Sequence, residues 1–237
     1  MLKDNTHQGF IRFFAVTGFI FLALFAAACG DASSAKQENN PAPPPAEMPA
    51  TVSNRPKIVA FGDSLTAGFG LTEKESYPYL LQEKLKADGY DYEVVNAGIS
   101  GDTTLGGLER IDWSLEQENV QILILALGGN DLLRGLSPKQ MKNNLEKIVQ
   151  KAQAKNVQVL LCGMLAPPSM GAQYQRDFVA TFPDLADKYK VAFMPFILEG
   201  IALDKRYNQP DGIHPNAAGE VIMTDNIYKS LQPLLKK

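Results

Sequence analysis

The chain has 237 residues, 45% of them apolar, and a formal net charge of −3. This composition suits one globular domain with additional segments. The pI is near 5.5, and no basic run occurs outside the extreme N-terminus. Both observations argue against a nucleic-acid-binding protein, which needs a positively charged surface. Cys29 and Cys162 lie in such different sequence settings that a disulfide between them is not expected.

Residues 1–28 have the pattern of a secretory signal peptide. Lys3 and Arg12 precede an uncharged run from 13 to 28 that ends in small residues. The alternative is a transmembrane anchor, but the run is short for a helix that needs about 20 apolar residues to span a bilayer. We therefore predict export.

The two residues that follow this segment resemble the processing site of a bacterial lipoprotein. Cys29 would become the lipidated first residue of the mature protein, with Gly30 after it. Cleavage after Ala28 without lipidation and an uncleaved anchor are the alternatives. The prediction is an exported bacterial lipoprotein, anchored in a membrane on the periplasmic side of the cell envelope.

A linker separates this segment from the domain. Residues 29–56 are rich in proline, alanine and serine and contain almost no large apolar side chain, so they cannot bury a core. As a flexible coil, a segment of this length spans about 30 Å. A single domain is predicted from residue 57 to residue 237.

Apolar, strand-like segments alternate with helical segments along the domain. Strands are predicted at Lys57–Phe61, Tyr92–Asn96, Gln121–Leu127, Val157–Leu161 and Val191–Pro195. Helices are predicted at about Tyr77–Asp88, Thr103–Trp113, Ser137–Asn156, Asp177–Lys190 and Asn216–Leu235. Regular β-α alternation predicts an α/β fold with a five-stranded parallel sheet and helices on both faces.

One hydroxyl follows the first strand directly. Ser64, in the sequence Gly62-Asp63-Ser64-Leu65, lies just beyond its carboxyl end, where ligands bind in open α/β sheets. We interpret Ser64 as a nucleophile. The alternative is that Asp-Ser is only a turn or a helix cap.

A general base for this serine has one candidate. His214 is the only histidine outside the signal peptide, and Asp211 precedes it by three residues. The carboxylate could fix the imidazole tautomer and stabilise the imidazolium. Alternatively, Asp211-Gly212 is a turn and His214-Pro215 a helix entry.

Two further loops could stabilise an oxyanion. Gly101 follows the second strand, and Asn130 follows the third within Gly128-Gly129-Asn130-Asp131. Glycine loops can point backbone N–H groups at a ligand, and Asn130 could add its side-chain N–H₂. The alternative for both is an ordinary glycine turn.

Together these four blocks, in this order, resemble the SGNH (GDSL) hydrolase family. Within it the chain is similar to the bacterial exported thioesterase I, lysophospholipase and arylesterase group. The resemblance implies a flavodoxin-like three-layer αβα sandwich and a catalytic triad of Ser64, Asp211 and His214. It also implies oxyanion donors from Ser64, Gly101 and Asn130.

The implied activity is that of a serine esterase acting on acyl esters or thioesters through an acyl-enzyme, as a monomer and without a metal or organic cofactor. Two alternatives remain, a carbohydrate O-acetyl esterase and a non-enzymatic binding lipoprotein. Apolar residues after the third and fourth strands suggest a crevice for an acyl chain. The predicted substrate-binding residues are Leu132, Leu133, Leu165, Pro167 and Met170.

Overall fold

A computed structural model of the chain describes residues 54–237. The predicted signal peptide, Cys29 and the greater part of the predicted linker lie outside the described residues. Between residues 54 and 237, no helix combines the length and the apolar content needed to cross a membrane.

Five parallel strands form one sheet, as predicted. They are β1 (Lys57–Gly62), β2 (Glu93–Gly98), β3 (Val120–Ala126), β4 (Gln158–Cys162) and β5 (Ala192–Met194). The strand order is β2-β1-β3-β4-β5, which is the flavodoxin-like order. The topological switch point, where successive connections begin to run to the other side of the sheet, lies between β1 and β3. The predicted fold class is therefore confirmed.

Helices cover both faces of this sheet. They are α1 (Ser64–Ala67), α2 (Tyr77–Ala87), α3 (Thr104–Leu115), α4 (Gly129–Leu133), α5 (Pro138–Ala154), α6 (Ala172–Tyr189) and α7 (Ala217–Leu231). α3 packs against α5 and α5 against α6, while α2 packs against α7. Short 3₁₀ turns occupy Glu73–Glu75, Pro168–Met170 and Gln232–Leu234.

The core lies along the two central strands. All residues of β1 after Lys57 are buried, and so are the last five residues of β3. Since both faces of these strands are covered, their sequences are continuous apolar runs rather than alternating ones. Cys162 at the end of β4 is fully buried, and burial raises the pKa of its thiol to about 12, so it packs as a small apolar residue.

The largest difference from the predicted elements is at α6. The helix was predicted to begin at Asp177, but it begins at Ala172, after Gly171 with φ of 88° at the N-cap position. It also runs through Pro183, which sequence rules treat as a helix breaker. Packing of Phe178 and Phe182 in the core outweighs this local preference.

Candidate active site

Ser64 begins a short helix that leaves the central strand. Asp63, the N-cap residue of α1, accepts a hydrogen bond from the Leu65 backbone N–H on its carboxylate at 3.1 Å. Gly68, with φ of 73°, ends the helix four residues later. Asp-Ser is therefore a helix cap, and the same cap places Ser64 at the carboxyl edge of the sheet.

Two glycines allow this turn to fit against the neighbouring strands. A Cβ on Gly62 would lie 2.1 Å from the Thr66 hydroxyl, and a Cβ on Gly98 would lie 2.3 Å from the Ala67 backbone nitrogen. Both distances are far below contact. Gly62 and Gly98 pair with each other at the ends of β1 and β2, so α1 can pack directly over the strand ends.

The structure brings Ser64, His214 and Asp211 into one hydrogen-bonded series. Ser64 Oγ lies 2.9 Å from His214 Nε2, and His214 Nδ1 lies 2.7 Å from Asp211 Oδ2. These are the distances required for proton transfer from a hydroxyl to an imidazole that a carboxylate orients. The Phe69 ring packs beside the imidazole at a centroid separation of 4.6 Å, with the two ring planes tilted by 35°.

The loop that carries the imidazole is organised by its own aspartate. Asp211 Oδ1 accepts backbone N–H hydrogen bonds from Ile213 at 3.0 Å and His214 at 3.1 Å. The hydrogen bond with the His214 side chain is the main reason that the pKa of Asp211 is lowered. Since the Asp211 side chain is 38% exposed, the loop is held by local hydrogen bonds rather than by burial.

Asn130 lies beside Ser64 in the second residue of α4. Its side-chain N–H₂ donates to Asp63 Oδ2 at 3.3 Å. Asp63 is 2% exposed, and this burial raises its pKa to about 6, against the lowering effect of its hydrogen bonds with Leu65 and Asn130. Asp63 therefore links the turn of the serine to the side chain of Asn130.

Gly101 lies in the loop after β2, with φ of 87°. Ile99, at the start of this loop, donates its backbone N–H to the Gly62 carbonyl at 3.1 Å. Arg134 donates from Nη2 to the Gly101 carbonyl at 2.7 Å. These contacts hold the loop against Gly62 at the end of β1. Gly62 precedes Ser64 by two residues in the sequence.

Arg110 of α3 is a positioning residue that the sequence analysis missed. Its guanidinium donates to the Ala97 and Gly62 carbonyls, both at 2.9 Å, and to Asp102 Oδ2 at 2.6 Å. It also lies over the Phe61 ring, 3.9 Å from the centroid. One side chain thus fixes the ends of β1 and β2 and the loop of Gly101.

Asp131 performs a similar function for the loop of Asn130. It is 2% exposed and accepts hydrogen bonds from the Thr104 backbone N–H at 2.8 Å and the Thr104 hydroxyl at 2.7 Å. The loop after β3 is thereby tied to the first residue of α3. The sequence signals that could have identified this contact are Asp131 at the end of Gly-Gly-Asn-Asp and the pair of threonines at the start of α3.

A cavity of about 530 Å³ opens beside Ser64, His214 and Asn130. All five predicted substrate-binding residues line it: Leu132, Leu133, Leu165, Pro167 and Met170. The sequence analysis missed a third wall, formed by residues from Phe196 to Leu203 after β5. Its position after the carboxyl end of a strand was the signal that could have identified it.

The site contains no obvious set of metal ligands. Within residues 54–237, no three histidine, cysteine, aspartate or glutamate side chains cluster closely enough to hold an ion. The groups that meet at Ser64 are instead a hydroxyl, an imidazole, a carboxylate and an amide. This combination can perform nucleophilic attack with general-base assistance.

Comparison with known proteins identifies relatives of the whole domain. Residues 60–222 match the GDSL-like lipase/acylhydrolase family. The chain is 42% identical over 178 residues to esterase TesA of Pseudomonas aeruginosa, an alignment that covers 75% of this chain and 89% of that protein. It is 38% identical to the thioesterase 1/protease 1/lysophospholipase L1 of Escherichia coli, covering 75% and 84% of the two chains.

A solved structure extends the comparison to three dimensions. The psychrotrophic esterase EstA from Pseudoalteromonas, in a crystal structure inhibited by monoethylphosphonate, is 35% identical to this chain. The superposition has a TM-score of 0.71 and covers 75% of this chain and 97% of that one. The similarity therefore includes both sequence and fold.

Proposed function

The chain belongs to the GDSL-like lipase/acylhydrolase (SGNH) family, and we propose that it hydrolyses acyl esters or thioesters by covalent catalysis at Ser64. Its relatives are esterases and thioesterases, so the chain is an ester hydrolase that acts on small-molecule esters. This membership removes the non-enzymatic alternative. The finer proposal concerns the residues, the intermediate and the substrate.

A single observation carries the mechanism, the 2.9 Å separation between Ser64 Oγ and His214 Nε2. In this mechanism His214 takes the hydroxyl proton as Oγ attacks the carbonyl carbon of the substrate. Asp211 accepts the hydrogen bond from Nδ1 at 2.7 Å, which orients the ring and stabilises the imidazolium. Ser64, His214 and Asp211 form the proposed triad.

The tetrahedral intermediate then collapses to an acyl-enzyme. His214 returns its proton to the leaving alcohol or thiol, and the acyl group remains on Ser64 as an ester. Water attacks that ester with His214 again as base, which releases the acid and restores the hydroxyl. Inhibition of the Pseudoalteromonas relative by monoethylphosphonate supports a nucleophile of this type.

The developing negative charge on the carbonyl oxygen requires hydrogen-bond donors. The proposed donors are the backbone N–H groups of Ser64 and Gly101 and the side-chain N–H₂ of Asn130. Support comes from the Asp63 carboxylate, which already holds the Asn130 amide at 3.3 Å beside the serine turn. Removing Asn130 would then lower kcat more than it raises KM.

The acyl chain of the substrate is proposed to occupy the apolar cavity. Leu132, Leu165 and Met170 line it next to Ser64. Each methylene buried there contributes about 0.8 kcal/mol, or nearly fourfold in kcat/KM if the transition state uses it. The name of the Escherichia coli relative includes thioesterase and lysophospholipase, and both substrate classes carry such a chain.

A substrate series tests this function. The full chain is assayed with p-nitrophenyl esters from acetyl to dodecanoyl, with acyl-CoA thioesters and with acetylated polysaccharide, beside Ser64→Ala. We expect kcat/KM to rise from acetyl to medium chains and to vanish in Ser64→Ala. A preference for acetate would favour the carbohydrate O-acetyl esterase, and full activity in Ser64→Ala would contradict the mechanism.

For location, we propose that Cys29 is lipidated and holds a monomeric enzyme on the periplasmic side of a membrane. The support is the sequence pattern of residues 1–28. Detergent-phase partitioning of the wild-type chain beside Cys29→Ser tests it. Both proteins in the aqueous phase would contradict the anchor, and simple secretion would replace it.

A further inference from the structure

Exposed apolar side chains concentrate at the mouth of the active-site cavity. Within the described part of the chain, ten large apolar residues are exposed, and four of them line this cavity. We call these four the apolar rim: Leu133, Leu165, Leu203 and Ile213. Scattered exposed apolar residues are ordinary, but a group around one opening marks an interaction surface.

Leu203 is the most unusual residue of the apolar rim. This residue is 91% exposed, although leucine is among the residue types that are most often buried. Its backbone has φ of 64°, in the left-handed region that leucine rarely adopts. Backbone strain of this kind often occurs at functional sites.

The four residues come from three segments of the chain, each of which follows a strand of the sheet, and all four line the same cavity. Leu133 follows β3, Leu165 follows β4, and Leu203 and Ile213 follow β5. The carboxyl ends of parallel strands share one edge of the sheet, so the apolar rim forms one surface around the opening. Phe69 is a further exposed apolar residue near the site, since it is 49% exposed and its ring packs against the His214 imidazole at a centroid separation of 4.6 Å.

The position of this surface restricts what can cover it. A protein bound permanently on the apolar rim would close the cavity above Ser64. A lipid surface would cover the same side chains and also deliver an ester with an acyl chain directly into the cavity. The surface therefore fits a partner that is both apolar and the source of substrate.

The chain that precedes the described residues permits this arrangement. The predicted linker ends at Pro56, directly before β1, and β1 begins at the edge of the sheet opposite the cavity. A domain of this size has a radius of gyration of about 16 Å and is therefore about 40 Å across, while a flexible chain of the 28 residues from 29 to 56 would reach about 30 Å as a coil and roughly 80 Å if fully extended. A membrane anchor at Cys29 would therefore leave the apolar rim free to turn towards the same membrane.

We propose that the apolar rim docks on a phospholipid bilayer, so that the enzyme takes acyl esters directly from the membrane surface. The inference rests on the proposed ester hydrolase function and identifies lipid acyl esters as its substrate class. Docking is driven by apolar contact, with Leu203 entering the bilayer first. Charged lipids are not required.

A fluorescent reporter distinguishes docking from simple tethering. The chain has one tryptophan, Trp113 of α3, which is 70% exposed. It lies nine residues beyond Thr104, about 14 Å along the helix axis, away from the cavity. The full chain with Leu203→Trp and Trp113→Phe therefore carries its only indole on the apolar rim, and the native chain is the matched control.

Both proteins are added to phosphatidylcholine vesicles whose acyl chains carry bromine, which quenches indole fluorescence on contact. We expect the indole at position 203 to lose most of its emission and Trp113 to keep its emission. Equal quenching at both positions, or none at either, would overturn the proposal. If, in the absence of vesicles, the emission of the indole at position 203 changed with protein concentration, the apolar rim would instead be an interface with a second copy of the chain.

Hydrolysis provides a second readout with a variant that should fold well. Leu203→Asn removes the apolar side chain and places at this position a residue that tolerates positive φ. For an ester embedded in phosphatidylcholine vesicles we expect the rate to fall about tenfold, which corresponds to one exposed leucine that is no longer buried. For the same acyl group as a dissolved monomeric ester, Leu203 can contribute only as a residue that lines the cavity, so the fall in kcat/KM should be clearly smaller than the fall at the vesicle surface.

Trp113→Gln, which removes a larger apolar side chain far from the cavity, should change neither rate. Equal losses on both substrates in Leu203→Asn would overturn the docking role. The quenching experiment repeated with Ser64→Ala separates the two proposals, because docking does not require turnover. If Ser64→Ala lost activity but its indole at position 203 was still quenched, membrane docking would be independent of hydrolysis.

Discussion

The nucleophile and the base are held in opposite ways. Ser64 follows a strand that is buried from Ile58 onward, and Asp63 beside it is 2% exposed. Arg110 and the glycines at the strand ends hold its turn from other parts of the chain. His214, whose side chain is 15% exposed, follows three exposed loop residues, and the Asp211 carboxylate accepts hydrogen bonds from the backbone and the imidazole of this loop.

Because the two residues are held differently, substitutions near them should affect activity and stability to different extents. The serine turn is part of the core, so substitutions around it disturb packing as well as chemistry. The histidine loop is held mainly by hydrogen bonds to Asp211, so substitutions there should remove activity while the fold persists. The two aspartates show the same contrast, since burial raises the pKa of Asp63 to about 6, while the hydrogen bond with His214 lowers that of Asp211.

The largest expected effect comes from His214→Ala. We expect kcat to fall by about 10⁴–10⁶, because the imidazole transfers the proton in both steps. The free energy of unfolding should change by less than about 1 kcal/mol, as is usual for a site outside the core. Steady-state kinetics and urea unfolding measure the two quantities. Retained turnover would contradict the mechanism, because the other histidine of the chain, His7, lies in the predicted signal peptide.

Asn130→Ala should have a smaller effect on the nucleophile side. We expect kcat to fall by about 10²–10³, which is typical for the loss of one oxyanion donor, with little change in KM. The change also removes a hydrogen bond that lowers the pKa of Asp63, so that pKa should rise further. A loss in kcat below tenfold would remove Asn130 from the proposed oxyanion hole.

The smallest effect on activity is expected at Glu220, which connects the two regions through the core. Glu220 of α7 is 1% exposed and accepts a hydrogen bond from the Tyr77 backbone N–H at 2.8 Å. Tyr77 in turn lies 3.2 Å from the Thr66 hydroxyl in α1. Burial raises the pKa of Glu220 from 4.5 to about 8.

The sign of the pH dependence follows from that shift. Between about pH 5 and pH 8 the folded protein keeps a proton on Glu220 that the unfolded chain has released, so stability falls as the pH rises through this range. Glu220→Gln keeps an acceptor for Tyr77 and should flatten the fall, which is roughly 2–4 kcal/mol in the wild type. Urea unfolding at pH 5 and pH 8 measures it, with kcat at pH 7 expected to change less than twofold. An unchanged pH dependence in the variant would contradict a buried, protonated Glu220.

The sequence was sufficient to predict the fold because the pattern is repetitive. Buried parallel strands such as β1 and β3 are continuous apolar runs, and the helices between them have clear periodicity. The start of α6 was predicted five residues late, because Ala172 to Arg176 present no apolar stripe and Pro183 signals a break. Their helical conformation depends on packing further along the helix.

Residues with local signals were easier to identify than residues that act across the fold. Ser64, His214 and Asn130 were predicted as site residues because each follows a strand end or a turn signal, and the structure brings them to one cavity. Arg110 was missed because its function is to bridge two carbonyls and an aspartate from separate loops. No spacing in the sequence encodes that contact.

The central claim is that Ser64 forms a covalent intermediate with His214 as its base. The most direct measurement is mass spectrometry of the chain after reaction with a p-nitrophenyl alkylphosphonate, which reports which residue is modified and how fast. We predict one adduct per chain on the peptide that contains Ser64, formed in parallel with loss of esterase activity and much more slowly in His214→Ala. An adduct on another residue, or full activity after Ser64 is modified, would contradict the account.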